Sequence, residues 1–209
     1  MKENKQIVEA FCKDCVWAWI VYDHYVKLFE RGEERIKLLD RVASHFFQDI
    51  HNILKNYLFS QICKITDPAD TLGKSNLTTN YLVEKVPWPP ETKEELKRIS
   101  TKLNSFRNHI IPARHKILSH SDLKTYIEKD SLGAFPEGED KVFWDNLQNF
   151  VDVAYRHYFG EPYPIEAISE YDAEALVDAL KKSVDYDEYF SNRPQELFQR
   201  ICQMKFADA

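Results

Sequence analysis

The stretch VEAFCKDCVWAWIVYDHYVKLF, residues 8–29, decides the fold class. Its apolar side chains recur in steps of three and four residues, so they share one side of a long helix; they are Val8, Phe11, Cys15, Ala18, Tyr22, Tyr25 and Phe29. After the turn sequence ERGEE, residues 30–34, a second series keeps this spacing: Ile36, Leu39, Ala43, Phe46, Ile50, Ile53 and Tyr57. Two long helices joined by a short turn are expected to pack antiparallel.

Length and glycine content narrow the class further. The chain has 209 residues, enough for one domain with a real core, and only five glycines. So few glycines argue against a hairpin-rich sheet and against a glycine-rich dinucleotide turn. We predict an all-α, up-and-down bundle of four main long helices, followed by shorter C-terminal helices. Residues 1–160 are expected to form the bundle, and residues 161–209 a helical extension packed on the same domain.

The middle of the chain alternates breaks with helical patterns. The loop sequence KITDPADTLGKSNLTTNYL begins at Lys64, and Asn76 is the predicted cap of a short helix that ends near Val86. The sequence VPWPP prevents helix as far as Pro90. The third long helix begins near Glu91, and its predicted buried side consists of Leu96, Ile99, Leu103, Phe106 and Ile110.

The last third of the chain predicts one long helix and two shorter ones. The stripe of the fourth long helix is Trp144, Leu147, Val151, Ala154 and Tyr158. The shorter helices are expected around residues 173–184 and 194–206.

Localisation and cofactor chemistry follow from what the sequence lacks. The most apolar early run, residues 15–22, is far shorter than the roughly 20 residues of a membrane helix, so a soluble, cytoplasmic protein without a membrane partner is expected. Cys12 and Cys15 form a C-x-x-C pair, read first as buried thiols, with metal binding as the alternative. No cluster has convincing metal-ligand spacing, so neither a metal site nor a cofactor is predicted.

Charge is distributed unevenly. Residues 1–90 carry 12 basic and 12 acidic side chains, residues 91–129 carry 9 and 5, and residues 130–209 carry 7 and 17. The one basic segment contains the sequence ARHKILSHSDL, residues 113–123. Pro112 predicts a kink or a fresh helix start directly before it. On an unbroken helix, Arg114 and His120 would lie roughly 120° apart, so convergence needs a break after Arg114 or a second copy of the chain.

Two short motifs resemble a known family. The sequence RHKILSHSD, residues 114–122, resembles the active motif of the HEPN superfamily (higher eukaryotes and prokaryotes nucleotide-binding), in which an Arg, a polar residue and a short run end in His. Arg114, His115 and His120 fill those positions. The sequence ITDPADTLGKSNLT, residues 65–78, is similar to the loop after the second helix in the abortive-infection U-type branch. His115 stands where Asn is commoner, and Ser119 where Ala is commoner.

The resemblance implies a helical bundle, and many such proteins are metal-independent ribonucleases that act as homodimers. Cleavage by the 2′-hydroxyl needs a base, an acid and positive charge on the phosphoryl oxygens. His120 is suited to proton transfer, and Arg114 is suited to binding the phosphate. His115 is suited to contacting a phosphate or orienting the substrate. One such histidine per chain is half of an acid-base pair, so a homodimer with two copies of the motif across one cleft is expected.

The local excess of basic residues predicts a phosphate track for RNA. Arg107 projects from nearly the same helix side as Arg114, and the remaining members are Lys102, Lys116 and Lys124. The alternative is an ordinary solvated helix face.

Three functional hypotheses follow. The first is a HEPN-type endoribonuclease acting as a toxin or phage-defence effector. The second is a non-catalytic HEPN module that binds RNA, a nucleotide or an antitoxin of the nucleotidyltransferase type. The third is a helical interaction protein in which His120 belongs to the core.

Overall fold

Helices carry nearly all regular structure in the computed structural model, which describes residues 2–113, 138–165, 171–191, 193 and 196. The six helices of these ranges are α1 Lys2–Phe29, α2 Glu33–Thr66, α3 Thr79–Lys85, α4 Pro90–Ala113, α5 Glu139–Phe159 and α6 Asp172–Ser191. Two short strands, β1 Asp70–Thr71 and β2 Lys74–Ser75, pair antiparallel inside the predicted loop. The predicted all-α class is confirmed.

The chain divides into two compact units. The first unit comprises Met1–Asp23 and Asn52–Ser169, and the second comprises His24–His51 and Glu170–Ala209. Helices α1 and α2 therefore contribute to both units. The domain boundary expected near residue 160 stays a prediction.

In the first unit, α1 and the second half of α2 run antiparallel. Trp17 Nε1 donates a hydrogen bond of 2.6 Å to Tyr57 Oη, and Lys64 Nζ lies 3.1 Å from Asp14 Oδ2. Residues later in α1 contact residues earlier in α2, so the two helices run antiparallel, as predicted for two helices joined by a short turn.

Helix α5 of the same unit also runs antiparallel to α1. The ring centroids of Phe11 and Phe150 are 5.8 Å apart, and those of Tyr22 and Trp144 are 4.8 Å apart in a stacked arrangement. Tyr22 Oη donates to Asp140 Oδ2 at 2.8 Å. These ring pairs form one wall of the core, where large aromatic side chains bury the most apolar area.

Helix α4 packs along α5, again antiparallel. Phe106 and Phe143 lie 5.1 Å apart between ring centroids, and the helix ends meet where His109 lies near Glu139. The long helices of the first unit therefore alternate in direction along the chain, as in an up-and-down bundle.

Burial on three of the helices follows the predicted stripes. The predicted residues that are buried are Val8, Phe11, Cys15 and Ala18 on α1; Leu96, Ile99, Leu103, Phe106 and Ile110 on α4; and Trp144, Leu147, Val151 and Ala154 on α5. Tyr22, Tyr25, Phe29 and Tyr158, at the ends of their stripes, are only partly buried. Within the described ranges, no helix is both long enough and apolar enough to cross a membrane.

The predicted stripe of α2 is wrong beyond Ala43. Phe46 and Ile53 are 59% and 60% exposed, whereas the neighbouring Phe47 is buried and the buried side continues through Leu58, Ile62 and Ile65. Ala43 has φ −160° and ψ 72°, which interrupts the helix. The residues after this interruption are rotated relative to those before it, so a single spacing rule cannot describe both halves.

The predicted cap of α3 is also wrong. Thr78 is the N-cap residue, and its side-chain oxygen accepts a hydrogen bond of 3.0 Å from Tyr81 N. Asn76 lies too far upstream, and its Nδ2 instead donates to Pro68 O at 2.9 Å and to Thr71 Oγ1 at 2.8 Å. Asn76 therefore closes the β1–β2 hairpin.

Three further predictions, one break and two helices, have different outcomes. Pro112 lies inside α4, which continues to Ala113, so the chain is still helical at the proline. The helix predicted around residues 173–184 is present as α6 and extends to Ser191. The last predicted helix, residues 194–206, lies outside the described residues except for Glu196.

In the second unit, α6 is tied to the first half of α2 by two arginines. Arg35 Nη2 lies 3.1 Å from Glu174 Oε2, and Arg41 Nη1 lies 2.6 Å from Glu188 Oε1. Arg35 also donates from Nη1 to Lys27 O at 2.5 Å. The buried apolar side chains of this unit include Leu28, Leu39, Phe47, Ala173 and Val177.

Candidate functional site

The predicted site residues fall into two groups. Lys102 and Arg107 lie on α4 and are described by the structure. The others lie outside the described residues: Arg114, His115, Lys116, His120 and Lys124. Helix α4 is described as far as Ala113, the residue before Arg114, so its C-terminal part directly precedes the motif in the sequence.

Arg107 is paired with the loop that follows α2. Its Nη2 lies 2.8 Å from Asp67 Oδ1, and the two side chains are only 19% and 20% exposed. Arg107 Nε is buried and has no hydrogen-bond partner within the described part of the chain. A phosphate arriving from solvent cannot reach this nitrogen. The ion pair joins the TDP sequence, residues 66–68, to α4 two helical turns before the motif.

Asn80 fastens the same loop from α3. Its Nδ2 donates to the main-chain oxygens of Thr66 and Asp67, each at 3.0 Å, and its Oδ1 accepts from Asn104 Nδ2 at 3.0 Å. Buried Ser100 also donates to Asn80 Oδ1, at 3.2 Å. The end of α2, the start of α3 and the middle of α4 are therefore held by one polar network.

Sequence reasoning missed this network, although α4 carries a signal for it. Ser100, Asn104 and Arg107 follow each other at steps of four and three, directly beside the apolar stripe. Polar side chains at the border of a buried stripe need partners, because an unpaired buried polar group is unfavourable. In the structure those partners are Asn80 and Asp67.

Lys102 lines a groove between α4 and α5 that consists of two adjoining hollows. The first hollow, about 310 Å³, is lined by Arg98 and Lys102 of α4 and by Asn146, Asn149 and Arg156 of α5, among others. The second, about 320 Å³, lies on the side nearer the end of α4. Lys102 and Asn146 line both, so the two hollows lie next to each other along α4 and α5.

The second hollow contains a histidine and a carboxylate. His109 Nε2 lies 3.8 Å from Glu139 Oε2, and both side chains are partly exposed to solvent. Phe106 and Phe143 form the apolar wall beside them. His109 precedes Arg114 by five residues, so this end of the groove is the one nearer the motif in the chain.

The C-x-x-C cysteines are buried free thiols. Burial, with a smaller contribution from the nearby Asp152, raises the pKa of Cys12 to about 12. Burial also raises the pKa of Cys15 well above its usual value. Burial therefore disfavours the thiolate form of both side chains. Among the described residues, no three His, Cys, Asp or Glu side chains are grouped to hold a metal ion.

The comparisons with known proteins give one match. The family model described as HEPN_AbiU2 (AbiU2) matches residues 1–179, which include the loop fastened by Asn80, all of α4 and the segment Arg114–His120. No curated protein and no solved structure matches the chain. Because the family model covers most of the sequence, the chain belongs to the AbiU2 family of HEPN proteins, the abortive-infection U-type branch that its two motifs resemble.

Proposed function

We propose that this protein is a metal-independent HEPN endoribonuclease that acts as a toxin or phage-defence effector. Family membership supports a HEPN module of the abortive-infection type. The observation that carries the proposal is the course of α4. This helix lines a groove with basic side chains, and the segment with Arg114 and His120 directly follows its last described residue, Ala113, in the sequence.

The proposed reaction is an internal transfer at phosphorus. The 2′-hydroxyl oxygen attacks the adjacent phosphorus, the bond to the 5′-oxygen of the next nucleotide breaks, and a 2′,3′-cyclic phosphate forms. A base takes the proton of the 2′-hydroxyl, and an acid gives one to the departing 5′-oxygen. His120 is the proposed proton carrier, Arg114 neutralises the phosphoryl oxygens through its planar fork, and His115 orients the phosphate.

A homodimer would complete the acid-base pair. With an isologous interface near the motif, His120 of one subunit acts as base and His120 of the partner subunit acts as acid. Mixing wild-type protein with an excess of His120→Ala protein tests this arrangement. If one cleft needs His120 from both subunits, the mixed dimers are inactive, and cleavage falls with the square of the wild-type fraction and not in proportion to it.

Cleavage of RNA in the presence of a chelator tests the proposal directly. Wild-type protein is expected to leave 2′,3′-cyclic phosphate ends, and His120→Ala is expected to lower the rate by about 10²-fold or more. His45→Ala is a matched control, because His45 is exposed on α2 in the other unit. A His120→Ala protein that cuts as fast as wild type would show the catalytic assignment to be wrong.

The same assay separates the alternative function. A non-catalytic HEPN module would bind RNA, a nucleotide or an antitoxin of the nucleotidyltransferase type, yet turn over no transcript. Binding without turnover by the wild-type protein would favour that module over the ribonuclease.

A further inference from the structure

The groove between α4 and α5 carries three basic side chains. Arg98 and Lys102 are one turn apart on α4, and Arg156 reaches the same hollow from α5. All three side chains are exposed, and none forms an ion pair with a carboxylate in the part of the chain that the structure describes. They are available to an anion from solvent.

The carboxylates of the groove are engaged or lie toward its ends. Asp152 Oδ1 accepts hydrogen bonds from Gln148 Nε2 at 2.8 Å and from Tyr163 N at 3.1 Å. Glu139 lies beside His109 at one end of the groove, and Glu95 precedes Arg98 toward the start of α4. The first hollow therefore has three basic and two acidic side chains, a formal excess of one positive charge.

The rest of the lining suits a sugar-phosphate chain. Val153 gives the first hollow an apolar surface against which a ribose ring can pack. Asn146, whose Nδ2 donates to Val142 O at 2.7 Å, adds an amide that lines both hollows. Asn149 adds a second amide in the same hollow.

The length of the groove favours a strand over a single nucleotide. From Glu95 to His109 the groove follows α4 for 14 residues, about 21 Å at the helical rise. A mononucleotide would occupy one hollow and leave the other empty. An extended strand fills both hollows and leaves at His109, five residues before Arg114 in the sequence.

We infer that this groove binds the sugar-phosphate backbone of single-stranded RNA beside the cleavage site, with Arg98, Lys102 and Arg156 on its phosphates. The inference deepens the proposed ribonuclease function and rests on it for the identity of the nucleic acid. It adds Arg98 and Arg156 to the RNA-binding residues predicted from the sequence, and it gives Lys102 a defined place among them.

The test measures binding separately from cleavage. A fluorescein-labelled 2′-O-methyl RNA lacks the nucleophile, so its anisotropy with purified protein reports the Kd alone. Each single change to Ala at Arg98, Lys102 or Arg156 is expected to raise the Kd about 2- to 5-fold, and the triple change at least about 10-fold. The slope of log Kd against log salt should fall by about 2 in the triple variant, since each phosphate contact on a single strand contributes about 0.7.

A matched triple variant controls for net charge. Lys93, Lys97 and Lys141 are exposed on the same two helices but do not line the groove. Their replacement by Ala removes the same three charges and is expected to leave Kd and salt slope close to wild type. Arg98→Lys with Arg156→Lys should recover part of the affinity, and circular dichroism should show unchanged helicity in every variant.

Three outcomes would overturn the inference: equal RNA affinity in the groove triple and the wild type, equal losses in the two triples, or competition by polyglutamate as effective as by RNA. None of these depends on turnover. If groove-dependent binding is found but RNA is never cut, the ribonuclease proposal fails and the groove assignment stands; if His120→Ala abolishes cleavage but the groove triple binds normally, the reverse holds.

Discussion

Arg107 of α4 and Asp67 of the loop after α2 form an ion pair of 2.8 Å that is about four-fifths buried. The net attraction within such a pair contributes little to stability. Removing one partner is nevertheless costly, because the other charge is then buried without a counter-charge. Arg107 was predicted to bind RNA. That role stays a prediction, and the structure adds a second task, holding the loop in position.

Breaking this pair is expected to destabilise the protein. Asp67→Asn and Arg107→Ala should each lower the free energy of unfolding by about 1–3 kcal/mol, less than for a fully buried pair because both side chains retain some solvent contact. Urea unfolding monitored by circular dichroism measures the change. Arg98→Ala on the same helix is the control and should stay within about 0.5 kcal/mol of wild type. Wild-type stability in Asp67→Asn would contradict the structural role.

Asn80 provides an independent test of how the loop is held. Asn80→Ala loses two donors to main-chain oxygens and one acceptor, so a loss of about 1–3 kcal/mol is expected. Asn80→Asp should be at least as harmful, because a carboxylate cannot donate to the oxygens of Thr66 and Asp67. Ser105→Ala, at an exposed position of α4, is the control. Equal urea midpoints for all three variants would mean that the network contributes nothing to stability.

The sequence predicted those parts of the fold where one helical phase persists. On α4 and α5 every residue predicted at the centre of the stripe is buried, because nothing interrupts the 3.6-residue period. On α2 the same reasoning failed after Ala43, whose backbone leaves the helical region. No glycine or proline marks that position, so the interruption has no local sequence signal.

The neighbouring residues Phe46 and Phe47 test the changed phase of α2. Phe47 is buried and Phe46 is 59% exposed. Phe47→Ala should lower the free energy of unfolding by about 3–5 kcal/mol, while Phe46→Ala should lower it by less than about 1 kcal/mol. Thermal or urea unfolding distinguishes the two. A larger loss for Phe46→Ala would restore the stripe that the sequence predicted.

Alkaline pH should weaken the fold through the buried thiols. The pKa of Cys12 is raised from 9.0 to about 12 in the folded protein. The thiol's stabilising effect is fully present below pH 9 and is lost as pH rises toward 12, because the unfolded chain releases its proton first. The free energy of unfolding should fall by about 1.4 kcal/mol per pH unit for each such thiol. Urea titrations across this range should show a shallower fall in Cys12→Ala; an unchanged slope would contradict the assignment.

The sequence motifs indicated which residues belong to the candidate site, but not how residues from different helices come together around it. Arg114, His120 and the TDP loop were recognisable as short motifs, and the family match covers them. The groove was not predictable from one helix, because Arg98 and Arg156 are 58 positions apart and meet only when α4 packs against α5. Asn80 and Asn104 are also far apart in the sequence. A polar residue beside an apolar stripe indicates that it has a partner, but the sequence does not indicate which residue that partner is.

On the antiparallel helices α4 and α5, one side of each helix packs in the core and another side lines the groove. Leu96, Leu103, Leu147 and Val151 make the core, while Arg98, Lys102 and Arg156 stand on the outer side. Substitutions on the outer side leave the packed interior intact. The residues that contact a ligand can therefore change without a change in core packing. If the groove binds RNA as proposed, such a division lets its contacts with the ligand diversify while the stability of the packed interior is preserved.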